Sequence, residues 1–248
     1  MNCKKINQAV ILAGGQGKRL RPLTDHLPKP MAPVNGKPFL DYLIHSVISV
    51  GINKILFLVG YKSEYIISRY SKINIFSSEF SIGSVNYKTG RRLLNAYKLL
   101  DDYFLLLYGD NYWPLELDLM LDLYNCKNVN VTTTVFSNEN GTGEYGYENN
   151  IFVRKNCLVG EYDRKRKSKK TNGIDIGYFI INKSELNSNI ALNVSFEENI
   201  LLPLIERNQL AAYVTNEQYY YITNLDTLKN FESVVIKNNY QSLPSHLF

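Results

Sequence analysis

A chain of 248 residues with 45% hydrophobic and 21% charged residues is long enough for one large α/β domain with a proper core, in ordinary globular proportions. The net charge of +5 suits a cleft for anionic substrates but is too small to argue for nucleic acid. No apolar run is long enough to span a bilayer, and Met1-Asn2-Cys3-Lys4-Lys5 leads straight into a strand-like run, so neither a membrane span nor a signal peptide is expected. Cys3, Cys126 and Cys157 are odd in number and scattered, which points to a reducing, cytoplasmic compartment and away from a disulfide framework or a metal cluster.

Strand-like and helix-like stretches alternate along the chain. Gln8–Leu12 reads as a buried strand, and the helical spacing of Phe39–Val50 ends at Gly51. Lys54–Val59 is a second strand, followed by a helix around Glu64–Ser71. Arg91–Leu100 reads as a helix, and Tyr103–Tyr108 as a buried strand ending at Gly109-Asp110. Leu117–Tyr124 is helical, and the β-branched stretch Val129–Phe136 is a strand. Gly141–Asn150 is a loop, and Arg164–Lys170 a dense basic run. Ile174–Ile181 is a strand, Phe196–Arg207 an amphipathic helix, and Ala211–Val214 and Tyr219–Ile222 are short strands. A last helix runs from Leu225 to about Lys237, with residues 241–248 as a loose tail. This rhythm predicts a doubly wound, mostly parallel α/β sheet with helices on both faces. A single domain is expected over 1–240, in halves of 1–125 and 126–240 and with no hexapeptide repeat.

The chemistry concentrates where the first strand ends. Gly14-Gly15-Gln16-Gly17 offers bare backbone N–H donors, and Lys18, Arg19 and Arg21 follow at once, which makes a site for polyphosphate. Lys29 then stands between Pro28 and Pro30, so its backbone is pre-set on both sides. A solvated surface lysine has no need of that stiffness; one that must meet a phosphate oxygen does.

LAGGQGKRLRPLT and LPKPMAPVNGKPFL together resemble the N-terminal signature of the sugar-phosphate nucleotidylyltransferases, and the likeness extends over nearly the whole chain. It implies a Rossmann-like nucleotidyltransferase fold. The implied reaction joins an NTP to a phosphorylated acceptor with release of pyrophosphate, assisted by Mg2+ or Mn2+. The resemblance puts Leu12, Ala13, Gly14, Gly15, Gly17 and Lys18 around the nucleotide. Arg19 would hold the outgoing phosphates, Lys29 the α-phosphate, and Asp110 the metal.

Downstream the pattern departs from the family. Where many relatives carry Trp- or Phe-x-Asp-Ile-Gly-Thr, this chain has Tyr219-Tyr220-Tyr221-Ile222-Thr223-Asn224, so Tyr221 stands in the aspartate's place. Asp175 and Asp226 are the alternatives for a second metal contact. Asp175-Ile176-Gly177 replaces Asn-Ala-Gly, and Asp163-Arg164-Lys165 replaces Glu-Lys-Pro. Arg164, Asp175, Gly177 and Glu197 are then the acceptor-binding candidates, and Arg164–Lys170 is either a solvated loop or a lid.

Lys88-Thr89-Gly90-Arg91-Arg92-Leu93 is similar to a stretch of the glucose-1-phosphate cytidylyltransferases. It would place Thr89, Gly90 and Arg91 at the base and triphosphate, with Gly90 leaving room for the base edge and Arg91 or Arg92 adding a cation for phosphate. PKPMAPVNGKPFLDYLI is nearer to the manno-heptose-1-phosphate guanylyltransferases. CTP is favoured over GTP as the nucleotide, for cell-surface glycan or capsule synthesis. The acceptor is a sugar 1-phosphate or a non-sugar phospho-compound, and a homo-oligomer is left open. The competing readings are a catalytically silent nucleotide sensor and a nucleic-acid binder using the Arg164–Lys170 run. The second lacks interleaved aromatics and any reader motif.

Overall fold

A computed structural model describes residues 5–186 and 192–248; Met1–Lys4, with Cys3, lie outside the described residues. A seven-stranded sheet is assembled from β1 (Gln8–Ala13), β4 (Lys54–Val59), β5 (Ser77–Ile82), β6 (Tyr103–Tyr108), β8 (Val131–Phe136), β11 (Ile174–Asn182) and β12 (Leu210–Thr215), in the order β12-β8-β11-β6-β1-β4-β5; the short strands β2 (Pro33–Val34) with β3 (Lys37–Pro38), β7 (Asn111–Tyr112) with β13 (Tyr220–Tyr221), and β9 (Ile151–Val153) with β10 (Val159–Tyr162) pair outside it. β1 pairs parallel with β4 and β6, β4 with β5, and β12 with β8. β11 is antiparallel to both neighbours, so the sheet is mixed about one reversed strand.

Strand alternation explains why the sheet is covered on both faces. On β1, β4 and β6, Ile11, Ile55, Phe57, Leu105 and Leu107 face one core. That core includes Leu40, Leu43 and Val47 of α1 (Phe39–Ser49), Ile66 and Tyr70 of α2 (Ser63–Tyr70), and Met120 and Tyr124 of α4 (Leu117–Lys127). Val10, Leu56, Leu58 and Leu106 face the other core, with Leu93 and Leu94 of α3 (Thr89–Asn95) and Leu204 and Ile205 of α5 (Leu202–Glu206). A third cluster joins Leu20, Val34 and Phe39 to Leu228, Phe231 and Val235 of α6 (Leu225–Asn238).

Several expected elements change in detail. The helix expected over Arg91–Leu100 begins at Thr89, ends at Asn95 and is followed by a 3-10 turn over Tyr97–Leu99. The helix expected over Phe196–Arg207 is a π turn over Glu197–Leu201 running into α5, and Pro203, which has no N–H to donate to an earlier turn, stands near the change of geometry. β5 carries no apolar run because it is an edge strand with mixed exposure, which hid it in the sequence. The tail is not loose. Leu243 is fully buried and its N–H donates to Asp41 O, while Phe248 lies over the Arg69 guanidinium with 3.4 Å between Cζ and the ring centroid.

Candidate active site

A cavity of about 540 Å3 opens where β1 and β6 end, at the C-terminal edge of the parallel strands. Leu12, Ala13, Gly14 and Gly15 line it from β1 and the loop that follows, with Gly17, Lys18 and Arg19 beyond. Among the described residues, the N–H groups of Gly15, Gln16 and Gly17 donate to no protein acceptor. Gly17 has φ +61°, and a Cβ there would lie 2.8 Å from Lys29 Cβ. Glycine is therefore needed for this loop to pass so close to Lys29.

Lys29 opens a 3-10 turn after the extended Pro28 and is only 8% exposed. Its Nζ reaches Asp110 Oδ2 at 2.6 Å, so a residue after β1 and a residue just past β6 meet in the cavity wall. Ile222 N–H donates to Asp110 O, bringing Thr223 into the same wall. Among the described residues no group of three His, Cys, Asp or Glu side chains is arranged to hold a metal ion. A magnesium ion held mainly by substrate phosphates needs only one or two carboxylates, and Asp110 fits that role.

Arg19 lines the cavity but is 61% exposed, and its Nη1 donates to Glu144 Oε1 at 3.0 Å and to Tyr145 Oη at 3.1 Å. Glu144 Oε1 also accepts from Thr223 Oγ1 at 2.8 Å. The Arg166 guanidinium lies over the Tyr145 ring at 4.4 Å and donates to Glu148 O. The Gly141–Asn150 loop and the basic run are thus tied to each other and to Arg19. Sequence reasoning missed Glu144 and Tyr145, which lie over 120 residues from Arg19 and carry no motif.

Glu197 lines the cavity and accepts three hydroxyls: Tyr108 Oη at 2.7 Å, Ser195 Oγ at 2.6 Å and Thr89 Oγ1 at 3.0 Å. Burial works to raise its pKa, but these hydroxyl donors outweigh it and hold the carboxyl below its usual range. Arg164 also lines the cavity and lies 3.6 Å from Glu198. The loop that carries it is organised by Asp163, whose carboxylate accepts the N–H groups of Lys165, Lys167 and Ser168.

Other candidates stand back from the cavity. Asp175 is half-buried behind the lining, where it accepts from Thr133 Oγ1 and Gly177 N at 3.1 Å each. Burial pushes its pKa up to about 7, against the hydrogen bonds from Gly177 and Thr133. Asp226 is exposed in the first turn of α6 and does not line the cavity. Tyr221 lies in β13 (Tyr220–Tyr221), opposite Asn111 of the short β7 (Asn111–Tyr112).

The expected room at Gly90 for a base edge is not what the structure shows. A Cβ there would lie 2.9 Å from Ser195 C and from Val194 O, so Gly90 permits close packing of α3 on the 194–196 segment. Arg91 N–H donates to Val194 O and its guanidinium lies 5.4 Å from the Tyr87 ring, outside the cavity lining. Thr89, Tyr87 and Lys88 do line it.

Backbone donors, a buried lysine and a carboxylate therefore converge at strand ends from segments far apart in the chain. The sequence profile of the nucleotidyl transferase family matches residues 8–222. The chain belongs to this family. A probable glucose-1-phosphate cytidylyltransferase of Bacillus subtilis is 28% identical over 254 aligned positions, covering 92% of this chain and 94% of the relative. A D-glycero-alpha-D-manno-heptose 1-phosphate guanylyltransferase of Aneurinibacillus thermoaerophilus is 28% identical over 200 positions, covering 78% and 83%. This nucleotidyl transferase spans only 34% of the length of a bifunctional GlmU protein of Methanococcus maripaludis that it also matches. Its fold is that of HddC from Yersinia pseudotuberculosis, solved in complex with GMP-PN, with a TM-score of 0.75, 23% identity and coverage of 92% of this chain and 99% of that one.

Proposed function

We propose that this nucleotidyl transferase joins an NTP to a small phosphorylated acceptor, most simply a sugar 1-phosphate, and releases pyrophosphate. The observation that carries the reading is the meeting of Lys29 and Asp110, 2.6 Å apart, beside a glycine loop with unpartnered N–H groups. An acceptor phosphate oxygen attacks the α-phosphorus of the NTP. The bond to the bridging oxygen breaks, and the electron pair leaves on pyrophosphate. The acceptor phosphate is largely dianionic at neutral pH, its second pKa being about 6, so no general base is required. The work is then positioning and charge neutralisation.

In this reading the N–H groups of Gly15 and Gly17 take the triphosphate. Lys29 sets a point charge at the α-phosphate, and Arg19 takes the departing phosphates once it leaves Glu144. Arg164 binds the acceptor phosphate, and Asp110 would hold Mg2+ or Mn2+. The ion supplies charge neutralisation on the phosphates.

For the base we favour CTP. The support is the near full-length alignment with the cytidylyltransferase relative, together with Thr89 in the cavity lining. GTP is the rival, supported by the guanylyltransferase relative. Use of the product in cell-surface glycan or capsule assembly is part of the same proposal.

The test is pyrophosphate release over CTP, GTP, UTP and dTTP, each against a panel of sugar and non-sugar phosphates, with magnesium or manganese. Turnover with CTP well above the others is the expected result. GTP as the clear winner would overturn the base assignment. No turnover with any pair would overturn the enzyme reading and leave a silent nucleotide sensor.

A further inference from the structure

Arg92, in the second turn of α3, is 5% exposed. Its Nη1 donates to Val59 O at 3.1 Å, and its Nη2 donates to Gly14 O at 2.9 Å, Ser84 O at 3.0 Å and Val85 O at 3.3 Å. One guanidinium thus straps together the C-terminal ends of β1 and β4 and the turn after β5. Among the described residues no carboxylate lies within ion-pair distance of it. A buried cation without a counter-charge is costly to fold around, and burial accordingly pulls its pKa down. Packing alone does not call for an arginine there, since an apolar side chain of similar size fills space without the desolvation penalty.

The carbonyl that matters is Gly14 O, which also accepts from Tyr61 N at 3.2 Å. The peptide joining Gly14 to Gly15 is planar and trans, so its C=O and its N–H point in opposite directions. A carbonyl held towards Arg92 and Tyr61 turns the Gly15 N–H away from them, on the side where Gly15 lines the cavity. That N–H is one of the donors without a protein partner. The fit is tight: a Cβ on Gly14 would run into Arg92 Nη1.

We propose that Arg92 is a positioning residue for the nucleotide site: by holding the Gly14 carbonyl it aims the Gly15 N–H at the triphosphate, and although Arg92 borders the cavity, its guanidinium donates to backbone carbonyls and makes no phosphate contact of its own. The aim of the N–H is a property of the free protein, whereas its phosphate partner rests on the function proposed above.

The test compares wild type with Arg92→Lys, which keeps the charge and loses the fork, and with Gly14→Ala, which crowds the strap from the other side. Glycine-selective 15N spectra of the free proteins read the loop, and calorimetric titration with magnesium-CTP and magnesium-GTP reads binding. We expect the Gly15 amide resonance to move in both free variants. NTP affinity should fall by about tenfold or more, as for the loss of one hydrogen bond to a charged group. Millimolar guanidinium should restore part of the binding to Arg92→Ala. If Arg92→Lys weakens NTP binding while the Gly15 amide stays where it is in wild type, Arg92 touches phosphate directly and the proposal is wrong. Unchanged affinity in both variants also overturns it. Should Arg92→Lys fail to fold, Gly14→Ala decides. Should wild type bind no NTP, the proposed function fails, while the free-state Gly15 shift still judges the strap.

Discussion

In the proposed reaction Lys29 is the central residue, because among the described residues it is the one cation of the cavity wall that is both buried and paired with a carboxylate. Lys29→Ala removes the charge proposed to face the α-phosphate and leaves Asp110 without its lysine partner. We expect kcat/KM to fall by at least roughly a hundredfold, about 2.7 kcal/mol of transition-state stabilisation, in steady-state pyrophosphate release. Asp175 behaves differently. It sits among Thr133, the Gly177 N–H, Tyr162, Tyr108 and Glu197, with Arg164 and Arg166 beyond Tyr162. Its folded pKa of about 7 lies above the model-peptide value of 3.8, so the native state binds this proton more tightly than the unfolded chain does. That contribution is fully present below pH 4 and is lost as pH rises through 7. Asp175→Asn should therefore raise Tm relative to wild type at pH 8 and not at pH 4, measured by thermal melts at both. An equal difference at the two pH values would show that Asp175 does not titrate as its burial implies.

At the scale of elements, two contacts decide how the site is built. The N-terminus of α3 packs on the 194–196 segment through Gly90, where an added Cβ meets backbone atoms that cannot swing away. Gly90→Ala should cost about 1–3 kcal/mol of stability, as overpacking does, seen as a lower urea midpoint at unchanged m-value. A variant as stable as wild type would mean the segment yields. The second contact is the hold of the Gly141–Asn150 loop on Arg19. An exposed ion pair is worth at most about 1 kcal/mol, so Glu144→Gln should free Arg19 and lower KM for the NTP by roughly two- to fivefold. An unchanged KM would show that Arg19 need not leave Glu144 for nucleotide to bind.

For the whole molecule, the C-terminal segment closes the core beside α1 and α2. Asp41 is fully buried, accepts from Arg69 and Tyr70, and its backbone receives the Leu243 N–H. Phe248 then covers Arg69. Deleting residues 241–248 removes Leu243, whose burial is worth about 1.5–3 kcal/mol, and uncovers the core beneath it. The truncated protein should melt several degrees lower and keep its kcat/KM, because this segment does not line the cavity. A loss of kcat/KM at full folding would connect the tail to the site.

The alternating βαβ framework was legible in the sequence, as were the glycine loop and the lysine that line one cavity. These are local signals: an apolar strand run, glycines at its end, cations just beyond, and a lysine between prolines. Gln8–Ala13, Lys54–Val59 and Tyr103–Tyr108 could be read because strands buried on both faces are apolar throughout. The edge strand Ser77–Ile82 could not, because half-exposed positions dilute the pattern. Tertiary structure alone decided which neighbour of Gly90 does which work. Arg91 turns towards Tyr87, whereas Arg92 is buried under the glycine loop. It also decided that Arg19 pairs with Glu144, that Asp175 stands behind the cavity wall, and that Leu243 seals the core. The contacts of Arg19 and Leu243 join residues more than a hundred positions apart, and which side of a helix or loop faces inward is set only when the sheet and its cores have packed.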